Sequence, residues 1–174
     1  MPLIVIEGVD GSGKTTLVQN FRQVAARHCL ILSRSGPPKH PSDLLSSISW
    51  INRMADSSVP IIVDRHPLIS EPIYGPIVRG SSMIEDVYSE DQAFEIIANR
   101  ANRIIFCRTD LDTSMRASRR ERQMEGVHEQ YGALYQKYDH AMARIVSQYK
   151  GNVVPYDWTF DQSVDFNQLF FGSL

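Results

Sequence analysis

Five short apolar runs punctuate the chain: Leu3–Glu7, Leu30–Ser33, Val59–Asp64, Arg103–Cys107 and Asn152–Pro155. Each is continuous instead of alternating, the pattern of parallel strands covered on both faces. The intervals carry apolar residues at helical spacing and predict helices near 14–27, 42–55, 68–79, 89–101, 111–122 and 128–149. In the last, Tyr131, Leu134, Tyr135, Tyr138, Met142, Ile145, Val146 and Tyr149 make one stripe. Strands separated by helices imply right-handed crossovers and an α/β fold, a five-stranded parallel sheet with helices on both faces. Ligands in such folds bind beyond the carboxyl ends of the strands.

The segment after the first run fixes what such a ligand would be. Gly8-Val9-Asp10-Gly11-Ser12-Gly13-Lys14-Thr15 has the G-x-x-x-x-G-K-[ST] spacing of a P-loop, and it joins a strand to a helix, its confirming context. Gly8, Gly11, Ser12 and Gly13 would turn backbone N–H groups around phosphate oxygens, with the helix N-terminus at Thr15 and Thr16 adding partial positive charge. Lys14 would bridge the outer phosphates, and the Thr15 hydroxyl would hold Mg²⁺. The expected architecture is therefore a three-layer P-loop NTPase fold.

Length and charge narrow the partners. The 174 residues suit one domain, taken as 1–174. A net charge of −2 argues against a broad footprint for duplex nucleic acid, while leaving room for the basic patch Arg116–Arg122. Cys29 and Cys107 lie far apart within apolar segments and read as reduced, packed thiols. The histidines show no metal-ligand spacing. No apolar run approaches membrane-spanning length and no charged segment precedes a signal-like core, so a cytoplasmic protein without membrane contact is expected.

Two further segments belong with phosphate chemistry. Val63-Asp64-Arg65 ends a strand at the edge where the P-loop lies. Asp64 there could hold Mg²⁺ through its water shell and Arg65 could fork onto a phosphate; the alternative is a helix cap or a surface pair. The stretch around 114–127 begins helical and loses its apolar period at Glu125-Gly126. Its arginines, with Arg116, Arg119 and Arg120 expected near one helical face, would form either a lid closing on phosphate or a solvated face paired with Glu121 and Glu125.

Glu7-Gly8-Val9-Asp10-Gly11-Ser12-Gly13-Lys14-Thr15-Thr16 resembles the P-loop of thymidylate kinases, which carry a carboxylate inside the loop. Asp64-Arg65-His66, followed by Ser70 and Tyr74, is similar to their Asp-Arg-aromatic segment, and the arginine-rich stretch falls where they place a lid. The resemblance implies an ATP- and Mg²⁺-dependent kinase acting on a deoxynucleoside monophosphate, most simply dTMP, and a possible homodimer. It implies that Asp10 accepts a hydrogen bond from the sugar 3′-hydroxyl, Arg65 binds the acceptor phosphate, Asp64 supports magnesium and Tyr74 lies against the acceptor. Lid arginines, Arg116 among them, would reach the transferring group and ATP, with Asp157 and Trp158 on the adenine side. Gly11 stands where some members keep an arginine, which leaves the catalytic cations to the lid.

The loop Ser33-Arg34-Ser35-Gly36-Pro37-Pro38 departs from the family's Thr-Arg-Glu-Pro, with Arg34 as the remaining candidate for the acceptor phosphate. Trp50 and Arg53 occupy the helix where the family reads thymine, at a different spacing, and Trp50 is expected in the core. Two other readings stay open. One is a relative that phosphorylates a hydroxymethyl-pyrimidine in DNA, an alcohol that would need Asp10 or Asp64 as base. The other is a nucleotide-dependent switch, which lacks support because the chain has no Asn-Lys-x-Asp motif.

Overall fold

In the computed structural model, which describes residues 3–25, 29–33, 38–120, 125–160 and 165–171, the apolar runs pair into one sheet. Its strands are β1 (Leu3–Glu7), β2 (Leu30–Ser33), β3 (Ile61–Asp64), β4 (Arg103–Cys107) and β5 (Val153–Tyr156). The order is β2-β3-β1-β4-β5 and every pairing is parallel. β1 is central and wholly buried. Expected burial on both faces holds for β1, β3 and most of β4, whereas β2 and β5, at the edges, are half-exposed.

Successive side chains of β1 face opposite layers, and two cores follow from that alternation. Leu3 and Val5 join Ile61, Val63, Ile104 and Phe106 against α2 (Pro41–Ala55), α3 (Pro67–Tyr74), α4 (Glu90–Arg100) and α6 (Tyr131–Ser147). Ile4 and Ile6 join Ile62, Ile105 and Cys107 against α1 (Lys14–Ala25) and α7 (Phe166–Phe171). Phe21 stacks on Phe170 there at 4.0 Å. The remaining helix, α5 (Leu111–Ser118), starts at Asp110, whose side chain accepts the Thr113 N–H at 2.9 Å.

Several bounds differ from expectation for local reasons. β3 begins at Ile61 because Pro60 has no N–H to give the ladder, although its carbonyl accepts from Leu30 at 2.9 Å. The single helix expected over 68–79 is α3 followed by a π-helical turn, Gly75–Arg79. Pro76 cannot bond the carbonyl four residues back, which favours the wider turn. Trp50 is not in the core. The buried face of α2 is Leu44, Ile48 and Ile51, and Trp50 lies off it at 37% exposure. Val146 likewise leaves the α6 stripe and is exposed. Cys107 is buried and Cys29 half-buried, and neither is in a disulfide. Among the described residues no helix is long and apolar enough to cross a membrane.

Candidate active site

The order of strands reverses at β1, and the crevice beyond its carboxyl end is where such folds bind ligands. The P-loop occupies that point. Gly11 has φ +75, and a Cβ on it would stand 2.2 Å from the Ser114 carbonyl oxygen of α5. Gly13 has φ +91, and a Cβ there would meet the Trp158 indole at 2.4 Å. Bare glycines thus let α5 and Trp158 close on the loop from two sides.

Inside the loop, Lys14 is buried and donates to the Val9 carbonyl at 2.5 Å. Burial, then the charge of Arg65, lowers its pKa, while Asp10 and Asp64 pull the other way. The Ser12 hydroxyl is buried with no hydrogen-bond partner among the described residues. A buried polar atom without a partner is costly, and a phosphate oxygen in the cradle would satisfy it. Thr15 and Thr16 are exposed at the start of α1. Asp64, at the end of β3, is half-buried, and burial raises its pKa against the cations Lys14, Arg65 and Arg22. No group of three His, Cys, Asp or Glu gathers among the described residues. Thr15 and Asp64 are the side chains that would hold an Mg²⁺ of the kind bound by one or two side chains, substrate phosphates and water.

Beside the loop lies a second cluster. Arg65 has φ +67, a conformation that costs a non-glycine residue roughly 1–2 kcal/mol. Its guanidinium pairs with Asp10 and lies 4.9 Å over the Tyr74 ring. The Tyr74 hydroxyl donates to the other Asp10 oxygen at 3.1 Å. Burial raises the Tyr74 pKa, so this hydroxyl keeps its proton. Asp10, Arg65 and Tyr74 therefore form one half-buried unit within reach of the phosphate loop.

Glu7 lies beneath both clusters, fully buried. It accepts the His66 N–H at 2.6 Å and the Tyr138 hydroxyl at 3.0 Å. Burial lifts its pKa to about 7 against the pull of Arg65, the His66 N–H, Lys14 and Tyr138. Two more tyrosines of α6 grip the same edge: Tyr131 donates to the Asp10 carbonyl and Tyr135 to that of Thr109, the latter at 2.8 Å. Arg108 forks onto Asp139 at 2.7 and 3.1 Å and lies over Tyr135. None of Glu7, Arg108 or the α6 hydroxyls was assigned a role in the sequence reading. The available signal was tyrosine, not leucine, at four positions of one apolar stripe, three of which grip this edge.

No protein-family model matches the chain, and no curated protein does either. Solved structures do. YorR from Bacillus subtilis, in complex with phosphorylated GDP, superposes with a TM-score of 0.64 at 17% identity, over 89% of this chain and 85% of that one. Deoxyadenosine kinase from M. mycoides with bound dATP gives 0.62 at 17% identity, covering 91% and 92%. The same enzyme with products dCMP and a flexible dCDP gives 0.60 at 16%, covering 91% and 92%. The likeness shows the fold, the three-layer P-loop NTPase fold that the sequence predicts.

Within that P-loop NTPase fold the remaining expected residues are scattered. Ser70 donates to the His66 carbonyl at 3.2 Å, one turn back in α3, so its hydroxyl is turned to the helix backbone. Arg116 contacts the Asp112 carbonyl and the Thr113 hydroxyl, both at 3.3 Å. Arg116 and Arg119 line a cavity of about 260 Å³ with Asp112 and Met115. α5 ends at Ser118, so of the three arginines only Arg116 lies within the helix; Arg119 caps it and Arg120 follows in a turn. The first part of the expected lid is packed, since Ser114 and Ser118 are buried against Gly11. Residues 121–124 of that lid, and Arg34 of the acceptor side, lie outside the described residues. Trp158 lies against Gly13 as noted, and Asp157 accepts from Thr159 at 2.9 Å (N–H) and 2.6 Å (hydroxyl).

Proposed function

We propose that the chain is an ATP- and Mg²⁺-dependent deoxynucleoside monophosphate kinase, with dTMP or a related pyrimidine deoxynucleotide as acceptor. The observation that carries this reading is the Asp10–Arg65–Tyr74 unit beside a P-loop whose Ser12 hydroxyl has no partner among the described residues. It sets a carboxylate, suited to a sugar hydroxyl, next to a guanidinium, suited to a phosphate. Lys14 and the loop N–H groups hold the triphosphate, and Thr15 and Asp64 hold Mg²⁺. Trp158 and Asp157 face the donor side, and Arg116, Arg119 and Arg120 supply charge from α5 and the turn after it.

An acceptor phosphate is already anionic, so transfer needs positioning and charge neutralisation more than a base. The γ-phosphoryl bond to the ATP β-phosphate breaks as an oxygen of the acceptor phosphate bonds to phosphorus, leaving ADP and a deoxynucleoside diphosphate. The deoxyadenosine kinase likeness makes a nucleoside acceptor the reading to exclude. A nucleoside presents an alcohol and needs a base. The Asp10 carboxylate is committed to Arg65 and Tyr74, which speaks for the phosphate acceptor. Labelled ATP and Mg²⁺ with each deoxynucleoside, each deoxynucleoside monophosphate and hydroxymethylated DNA in turn separate the cases. Diphosphate formed from dTMP or a related pyrimidine monophosphate supports the proposal. Label found only on nucleosides or on DNA, or hydrolysis indifferent to every acceptor, refutes it.

A further inference from the structure

Two residues at the end of β1 hold the backbone on either side of Arg65. The Arg65 N–H donates to the Ile6 carbonyl at 3.0 Å, extending the β1–β3 ladder one step. The next N–H, that of His66, donates to the Glu7 carboxylate at 2.6 Å. Between these two bonds Arg65 sits at φ +67. A strand that continued in extended conformation would send the next N–H elsewhere, so the left-handed step is what turns His66 toward Glu7. The same step aims the Arg65 side chain at Asp10 instead of along the strand. Glu7 is itself fixed at its second oxygen by Tyr138. The His66 ring adds no competing partner for Glu7: its Nδ1 accepts from Leu68 at 3.1 Å to start α3, and its Nε2 has no hydrogen-bond partner among the described residues.

We infer that Glu7 is a positioning residue for the acceptor-phosphate cation: by accepting the His66 N–H it holds Arg65 in the left-handed conformation that points the guanidinium into the site. The inference rests on the proposed role of Arg65 toward an acceptor phosphate. Glu7 touches no substrate in this scheme. It acts through one backbone bond, and what that bond needs is reach and an acceptor oxygen, not a negative charge.

Two variants separate reach from charge. Glu7→Gln keeps the length and an acceptor oxygen but removes the charge. Glu7→Asp keeps the charge but withdraws the oxygens by one methylene. With wild-type enzyme first shown to phosphorylate dTMP or another monophosphate, acceptor KM and ATP KM are measured for both, with Arg65→Ala beside them. Glu7→Gln should keep acceptor KM within about threefold of wild type, while Glu7→Asp should raise it about tenfold, toward the Arg65→Ala value. ATP KM should stay within about threefold in both. Since Glu7 adjoins Gly8 of the P-loop, a merely structural role would disturb ATP at least as much as the acceptor. Glu7→Asp in the Arg65→Ala background should add nothing further. The reverse order of the two variants, equal behaviour, or a matching rise in ATP KM overturns the inference. Thermal unfolding is recorded for each variant. Should Glu7→Asp not fold, a folded Glu7→Gln with acceptor KM at the Arg65→Ala level overturns it alone. Absence of transfer in the wild type would instead strike the proposed function.

Discussion

Replacing Glu7 by glutamine should change how stability depends on pH, and the size of the change follows from the burial of one carboxyl. Glu7 is fully buried, and its pKa rises from an ordinary 4.5 to about 7 on folding. Between those values the folded protein holds a proton that the unfolded chain has released. Stability from this group is therefore complete below about pH 4.5 and is lost as pH climbs through about 7. At about 1.4 kcal/mol for each pH unit between the two values, the full loss is about 3.5 kcal/mol. Glutamine has nearly the same shape and no proton to lose. His66 works in the opposite sense: burial lowers its pKa to about 3, so its contribution stands above about pH 6.5 and fades as pH falls. Wild type alone would thus show a dome, whereas the difference between wild type and Glu7→Gln cancels His66, Asp64 and the rest. Urea unfolding of both proteins at about pH 5 and about pH 8 gives that difference. Glu7→Gln should gain about 2.5 kcal/mol on wild type across the interval. A difference constant to within about 1 kcal/mol would mean that Glu7 is no proton-holding group, and that its charge is stabilised by Lys14 and Arg65 after all.

Arg65→Ala should raise acceptor KM roughly 10- to 100-fold, the value of a charge-assisted hydrogen bond, with ATP KM unchanged in initial-rate kinetics. Lys14→Ala should lower kcat by at least about 100-fold in the same assay without loss of fold by circular dichroism. Gly11→Ala forces a Cβ to 2.2 Å from the Ser114 carbonyl at φ +75, which should displace α5 and lower Tm by roughly 4–8 °C in a thermal melt. Trp158 lies over Gly13, so in a Trp50→Phe background its emission should change on adding MgATP and not on adding acceptor alone.

Much of the fold was legible because its signals are local. β1, β2 and β4 begin and end where their apolar runs do, since a strand buried in a parallel sheet tolerates little else. The P-loop and Asp64-Arg65 could be read because spacing within a dozen residues defines them. The errors came where phase or distance decides. Trp50 invited a place in the core by its bulk, but Leu44, Ile48 and Ile51 set the buried face of α2 and leave it outside. α7 was overlooked although Phe166, Leu169 and Phe170 have helical spacing, because the segment is only 6 residues long. Glu7 could not be assigned a role, as its partners lie 59 and 131 residues away and nothing near it in sequence announces them. Arg65 was foreseen as a cation, but its left-handed backbone was not, because arginine gives no hint of it.

Tyr131, Tyr135 and Tyr138 ride on one helix and fasten Asp10, Thr109 and Glu7. Those anchorages belong to two separate stretches of chain, Glu7–Asp10 and the segment at Thr109, yet they share a single rigid rod for a ruler. A tilt of that rod would carry the donor cradle and the acceptor cation together, keeping their separation while shifting both against whatever closes over them. If the proposed function holds, register between the two nucleotides is inherited from helical pitch, and sequence drift in the surface turns can proceed without disturbing it.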